Sequence, residues 1–346
     1  MTGRGVWAAV LGAVLVLFAV WTAARLLGLD RGAPWVQLIA FTPYVAAASL
    51  LPLGAALVTR LWWHAGVAVV LAGLLAACVL PRAVGGPSPG ETTSAASAAG
   101  GAGAAAGRAA GGRAATVRLR VLTANLYVGA ADARALVGRV RAEGVDVLAV
   151  QELTPPEAQA LDAAGLAALL PYRSVNPLPG GRGSGLYSRH PITEPGVRAF
   201  PSGFSQAHAT VHVPGAVPVR VESAHPRAPS DVAGWEGDIA LEPPTDPSGP
   251  PRILLGDFNA TLDHRGLRAV VASGYRDAAA SVGAGLIPTW PSIATAWYDL
   301  PVPPVTIDHV LADRRIGIAG VDVARTPGSD HRALRADLDL PPSPLS

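Results

Sequence analysis

Three apolar runs open the chain, at about residues 6–29, 34–59 and 61–80, with hardly a charge among them. Each approaches the roughly 20 residues a helix needs to cross a hydrocarbon core. A cleaved signal peptide would explain the first alone, but that run is too long and two others follow it. The reading is three membrane helices. Trp7, Trp35, Trp62 and Trp63 sit near the ends of the runs, where amphipathic rings favour the headgroup level. Arg60 and His64 occupy the tight turn between the second and third runs as interfacial residues. Three spans place the two termini on opposite sides. Arg4 and Arg60 share one side and Arg25, Arg31 and Arg82 the other, so the positive-inside rule is close to a tie.

Composition has to be read in two parts. The first 116 residues hold seven Arg and two acids, a formal +5, whereas the rest hold 20 Arg and 23 acids, a formal −3. A domain that grips nucleic acid by its phosphates usually has a basic stripe, because counterion release supplies most of the affinity. At the level of net charge that footprint is absent. The lone cysteine, Cys78, lies in an apolar run, which excludes a disulfide framework and a thiol metal site. Residues 83–115, rich in Gly, Ala and Ser, read as a disordered linker that cannot bury enough side chain to offset its ordering entropy. As a coil it would span roughly 30 Å, leaving the following domain free to move near the membrane surface. The expected organisation is therefore an anchor over 1–82, the linker over 83–115 and a catalytic domain over 116–346.

From residue 117 the pattern changes to short strands and helices. The stretches "VRLRVLTAN", "VDVLAVQE", "VPVRVESAH", "RILLGDFNA" and "HRALRADLDL" read as strands, "DARALVGRVRAEG" has helical spacing, and a further helix falls near 264–273. Several strands follow one another without a helix between, which suits two packed sheets with outer helices better than an alternating parallel sheet.

Polar residues recur where these strands stop. The first ends at Asn125, the second at Gln151 and Glu152, the third at His225 and the fourth at Asp257 and Asn259; "TIDHV" adds Asp308 and His309, and "GSDHRAL" adds Asp330 and His331. Any one of these could be a turn signal, since Asn and Asp bond nearby backbone. Their repetition points to a site on loops carried by a rigid sheet. Glu152, Asn125 and Asp330 offer oxygen ligands suited to a hard cation such as Mg²⁺, not to zinc. Asp308 bonded to His331 would orient the ring to take a proton from an attacking water, and His225 and Asn259 could donate to phosphoryl oxygens as charge develops. Phe258, by strand alternation, should face the core.

The ordered series "TAN", "VQE", "LYSRHPI", "SAHP", "GDFNA", "PTWPS", "IDHVL" and "GSDHRAL" resembles the endonuclease/exonuclease/phosphatase superfamily with its DNase I-like fold, over about residues 117–340. The resemblance implies an α/β four-layer sandwich, two mixed or antiparallel sheets flanked by helices, here preceded by three transmembrane helices. It implies Mg²⁺ or Mn²⁺ at Glu152 with Asn125 and Asp330 assisting, and His331 with Asp308 as catalytic pair. Asp257 and Asn259 would position the nucleophile or stabilise the transition state, with His225 on the scissile phosphate. The segment after His225 is short for the family's usual helix, though Trp235 and Asp238 fit a short one. His190, His208, His212, His264 and His309 are expected on the surface or on strand faces, while Tyr187 and Trp290 either pack or line the pocket.

The fold does not fix the substrate, since the superfamily includes nucleases, inositol phosphatases and sphingomyelinases. A mildly acidic domain tethered to a membrane favours a lipid-linked phosphate, whose local concentration the tether raises. Three spans joined to such a domain also resemble the actinobacterial membrane phosphatases of the teicoplanin-resistance type, implying a polyprenyl pyrophosphate substrate and a domain outside the cell. The expectation is a multi-pass cell-membrane hydrolase whose partners are membrane lipids and a phosphorylated substrate, with no protein partner evident. A tethered nuclease acting on DNA or RNA and a catalytically inactive binding module are the alternatives.

Overall fold

The computed structural model describes residues 3–86, 116–292 and 302–344. Residues 87–115 of the expected linker lie outside the described residues.

Two six-stranded sheets face each other. The first has the order β11-β12-β1-β2-β4-β3 and the second β5-β6-β7-β8-β10-β9. In chain order the strands are β1 (Val117–Asn125), β2 (Val147–Gln151), β3 (Tyr172–Asn176), β4 (Ser184–Ser188), β5 (Ile192–Ala199), β6 (Ser205–Val211), β7 (Val219–Ala224), β8 (Arg252–Asp257), β9 (Tyr275–Asp277), β10 (Asp308–Asp313), β11 (Gly317–Arg325) and β12 (Arg332–Leu340). Each sheet is antiparallel except for one central parallel pair, β1 with β2 and β7 with β8. The sheets are therefore mixed, and helices cover their outer faces.

Strand alternation sorts the core into three layers. Leu119 and Val121 of β1 meet Val221, Ile253 and Leu255 between the sheets. Leu122, Leu148 and Val150 point the other way, into the helix Ala133–Glu143 with its Leu136 and Val140. Asp132 caps that helix by accepting from the Ala135 N–H, and Gly144 ends it at φ 62°. On the far side, Leu254 and Leu311 pack against Trp235, Ile239, Leu267 and Val270. Trp235 and Asp238 do lie on one short helix, Val232–Ala240. The helix foreseen near 264–273 runs Arg265–Ala272.

The three N-terminal helical stretches, Gly3–Leu27, Trp35–Val58 and Trp62–Val79, are long and apolar enough to cross a membrane. Their large side chains face outward without cover: Leu17 is 69% exposed, Leu51 75% and Val58 84%. The domain is not loose beside them, which corrects the free movement expected from the linker. Arg25, at the end of the first helix, and Arg82, just beyond the third, both bond the buried carboxylate of Asp263. Val36, at the start of the second, is buried in the cluster around Trp235 and Phe258. The Arg265 N–H donates to Asp30, Arg268 donates to the Arg25 carbonyl, and Gln37 donates to the Pro229 carbonyl. Beyond Arg82 the chain continues against the domain, with the Gly86 N–H on the Ser281 carbonyl. The linker's length therefore does not set the domain's freedom, because both of its ends are held.

Candidate active site

The site lies where the two parallel pairs end. β1 and β2 deliver Asn125 and Glu152 from one sheet, and β7 and β8 deliver His225 and Asp257 from the other. The antiparallel neighbours begin at the same edge: β10 starts with Asp308, paired in register with Asp257, and β12 starts just after Asp330 and His331. All eight expected site residues come together at this edge, because in each sheet a parallel pair running up to it is flanked by antiparallel strands that start from it.

Asn125 ties the two sheets. Its Nδ2 donates to Glu152 Oε1 at 3.2 Å and to Asp257 Oδ2 at 3.0 Å, while its Oδ1 accepts from the Tyr127 N–H. Glu152 Oε2 accepts from the Val128 N–H at 2.6 Å. Asp257 Oδ1 accepts from the Asn259 N–H, and Asn259 Nδ2 donates to the Pro226 carbonyl. Tyr127, Val128, Glu152 and Asn259 all have positive φ, between 47° and 58°. Such conformations cost about 1–3 kcal/mol each and persist where the surroundings over-determine them.

His331 is held between acids. Its Nδ1 lies 2.9 Å from Asp308 Oδ2, and its Nε2 lies 3.6 Å from Asp257 Oδ2 and 3.9 Å from Asp330 Oδ1. Burial opposes its charge, but the Asp308 and Asp257 carboxylates outweigh that and push its pKa up to about 10. Asp257 is raised above the usual carboxylate range by burial, against the opposing pull of His331. Burial and the nearby His331 charge lower His225 to about 3, so its ring is neutral. That ring packs edge-on against Phe204 with centroids 5.1 Å apart, and its Nε2 is 3.9 Å from Glu152 and 3.8 Å from Asp257. Glu152 is also raised, first by desolvation.

The donor set fits a hard cation. Four carboxylates, of Glu152, Asp257, Asp308 and Asp330, converge with one imidazolium to balance them. Buried Asp330 Oδ1 and Asp308 Oδ1 have no hydrogen-bond partner. Among the described residues the tightest convergence of ligand atoms is Asp257, Asp308 and His331, all within 4.8 Å of one another. That trio differs from the expected ligands Glu152, Asn125 and Asp330, which lie beside it; two of its members are already bonded to each other.

Residues of the motifs "PTWPS" and "GSDHRAL" whose roles the sequence left open or unassigned also build the site. Trp290 Nε1 donates to Asp330 Oδ2 at 3.0 Å, so this ring lines the site, whereas Tyr187 is buried under the first sheet. Thr289 Oγ1 accepts the N–H groups of Ile307 and Asp308. Ser329 Oγ donates to the Asn125 carbonyl and accepts from the His331 N–H, fixing the two motifs together. Of the histidines expected on the surface or a strand face, His309 does stand on strand β10 and His264 precedes the helix Arg265–Ala272, and both are buried struts. His309 places Nδ1 on Asp277 and Nε2 on the Ala260 carbonyl, two acceptors that require both nitrogens protonated. Pairing with Asp277 overcomes burial and raises its pKa. His264 accepts the Thr261 N–H at Nδ1 and so donates from Nε2 to the Val36 carbonyl. Phe258 is fully buried in the outer cluster, as alternation requires.

Comparison with known proteins follows the same lines. The model of the Endonuclease/Exonuclease/phosphatase family matches residues 122–331, more than half of the chain. No curated protein sequence matches. Among solved structures, an endonuclease/exonuclease/phosphatase from Beutenbergia cavernae is similar at 21% identity and TM-score 0.51, covering 66% of this chain and 73% of that one. A humanized TDP2 of D. rerio is similar at 16% identity and TM-score 0.51, over 64% of this chain and 98% of that one. Both likenesses concern the fold.

Proposed function

Because the chain belongs to the endonuclease/exonuclease/phosphatase family, we propose that it is a membrane-anchored, metal-dependent phosphohydrolase that cleaves a phosphoester or pyrophosphate of a lipid-linked phosphate at the bilayer surface. One observation carries the lipid part of this reading. The apolar helices meet the domain at Asp263, in the loop that continues from Asp257 and Asn259. A bilayer around those helices would then lie beside the mouth of the site, where a phosphate on a lipid headgroup is presented.

The residues divide the chemistry as follows. Glu152, Asn125 and Asp330 would hold Mg²⁺ or Mn²⁺, which when bound neutralises charge on the leaving oxygen. Asp257 accepts the proton of the attacking water as the new P–O bond forms and the old one breaks. His331, facing three carboxylates, serves as a charged donor to the phosphoryl oxygens and not as the base first expected of it. Asp308 keeps that ring charged and oriented. Neutral His225 and the remaining N–H of Asn259 donate to the same oxygens.

The test uses the full chain in nanodiscs with Mg²⁺, assayed on a polyprenyl pyrophosphate and on plasmid DNA. Turnover of the lipid phosphate, abolished by Glu152→Ala or His331→Ala with the fold retained, is the expected result. DNA cleavage without lipid turnover would refute it in favour of a tethered nuclease, and inactivity on both in the presence of Mg²⁺, with no metal bound, would favour a binding module. A reporter fused after Ser346 that works only in the cytoplasm would exclude the proposed placement of the domain outside the cell.

A further inference from the structure

A crevice of about 330 Å³ separates the second span from the catalytic domain. That size is within the range of ligand pockets, ~300–1,000 Å³. Pro43, Tyr44 and Ala47 of the span form one wall, and Leu286, Pro288 and Pro304 of the domain face them. Tyr44 donates to the Pro304 carbonyl at 2.7 Å, which holds the walls together at one point. The two cationic groups in the lining, Arg82 and His309, are already paired with Asp263 and Asp277. An anionic or peptide ligand would thus find no free charge there.

We propose that this crevice seats the apolar chain of the lipid whose phosphate the site cleaves, an inference that rests on the function proposed above. Two features of its position identify the occupant. Tyr44 and Ala47 lie part-way along a helix long and apolar enough to cross a bilayer, and both are exposed, so the mouth opens onto the lipid that would cover Leu51 and Val58. The domain segments beside it, residues 278–292 and 302–307, contain no charged residue, and Ile287 is 41% exposed. A rim whose described residues carry no charge, next to a spanning helix, fits the boundary between headgroups and acyl chains, where burying apolar area is the main gain.

The crevice and the site share a stretch of chain, although none of the site residues lines the crevice. Its wall residue Pro288 precedes Thr289, which holds the backbone of Asp308, and Trp290, which holds Asp330. Val305 pairs with Trp290 across an isolated bridge. In this proposal the chain lies against Pro288 and its phosphate end passes Thr289 and Trp290 to reach the side of Asp308 and Asp330.

The experiment has a kinetic arm and a labelling arm, both on the full chain in phosphatidylglycerol-containing nanodiscs. Ala47→Trp, at an exposed helix position that tolerates bulk, should lower the ratio of kcat/KM for a long-chain polyprenyl pyrophosphate to that for a short water-soluble prenyl pyrophosphate by at least tenfold. Leu286→Trp should do the same from the opposite wall. Val69→Trp, on the exposed face of the third span, should leave the ratio unchanged. A polyprenyl pyrophosphate with a diazirine in its chain should label residues of 40–47, 285–292 and 302–306. An unchanged ratio in both crevice variants, label spread evenly over the three spans, or a cross-link to a second copy of the chain would each overturn the proposal. Labelling of the crevice by a chain that is never hydrolysed would refute the enzymatic reading and uphold the crevice. Hydrolysis with evenly spread label would do the reverse.

Discussion

Replacing Asp263 by Asn should release the domain from the helices while leaving its own core folded. Asp263 has no exposed side-chain surface, and it accepts from Arg25 Nε at 2.6 Å, from Arg82 Nη1 at 2.8 Å and from Arg82 Nη2. The two guanidiniums are themselves only 10% and 8% exposed. The Asn side chain keeps the shape but removes the charge, and its NH₂ faces donors it cannot serve. Breaking a buried ion pair by removing one partner costs about 3–5 kcal/mol, most of it from the charges left uncompensated. The other polar contacts across the junction, such as His264 to Val36 and Gln37 to Pro229, contribute about 0.5–1.5 kcal/mol each. The clamp is thus the largest of these polar contributions, and its loss should raise the undocked population by roughly 10²- to 5 × 10³-fold.

The Arg265 amide is a direct reporter, because its acceptor is Asp30 on the other side of the junction at 2.7 Å. Hydrogen exchange of the full chain in nanodiscs should show this amide exchanging at least about a hundredfold faster in Asp263→Asn, in keeping with the opening free energy. The amide of Leu122, in the centre of β1, should keep its protection. Acceleration of less than threefold at Arg265 would mean that the ion triad does not hold the domain. Equal acceleration at Leu122 would mean that the triad stabilises the whole domain and not the junction.

Two further outcomes follow from the same packing. A Cβ on Gly256 would collide with the carbonyl oxygen of Ala224 on the neighbouring parallel strand, so Gly256→Ala should destabilise the domain by about 3 kcal/mol or more; a melting temperature within two or so degrees of the parent in thermal unfolding would contradict this. Burial, assisted by Asp132, raises the Glu157 pKa to about 7, so the folded state holds its proton more tightly than the unfolded state does. Its contribution is complete below the unfolded value near 4.5 and is lost as pH rises through 7. Glu157→Gln should therefore be more stable than the parent at pH 8, by about 1 kcal/mol after allowance for screening, and indistinguishable at pH 4. Denaturant titrations at the two pH values check the sign, and a gain that grows on acidification would reverse it.

What the sequence reveals depends on how far apart the interacting residues lie. "RILLGDFNA" is legible because strand period is a local property: Ile253 and Leu255 face the other sheet, so Asp257 follows them to the cleft between sheets and Phe258 must turn to the outer layer. The same reasoning gathers Asn125, Glu152 and His225 at one edge, since each stands where a strand runs out of apolar residues. Even the glycine of that stretch has a reason, though it requires knowing that β7 runs beside β8. The burial of His264 and His309 is not legible for the complementary reason. Alternation assigns a face, but whether that face meets water or another layer is decided by elements far along the chain, here Val36 and Asp277. The clamp at Asp263 is further out of reach, because its partners lie 238 and 181 residues away and each Arg taken alone reads as a helix-end charge. The roles within the site are legible only in part. The Asp308 and His331 pair is visible in the sequence, but the direction of proton transfer is not, because it depends on Asp257 and Asp330 also facing the ring. One carboxylate beside an imidazole favours its charged form, and each further carboxylate facing the ring strengthens that preference.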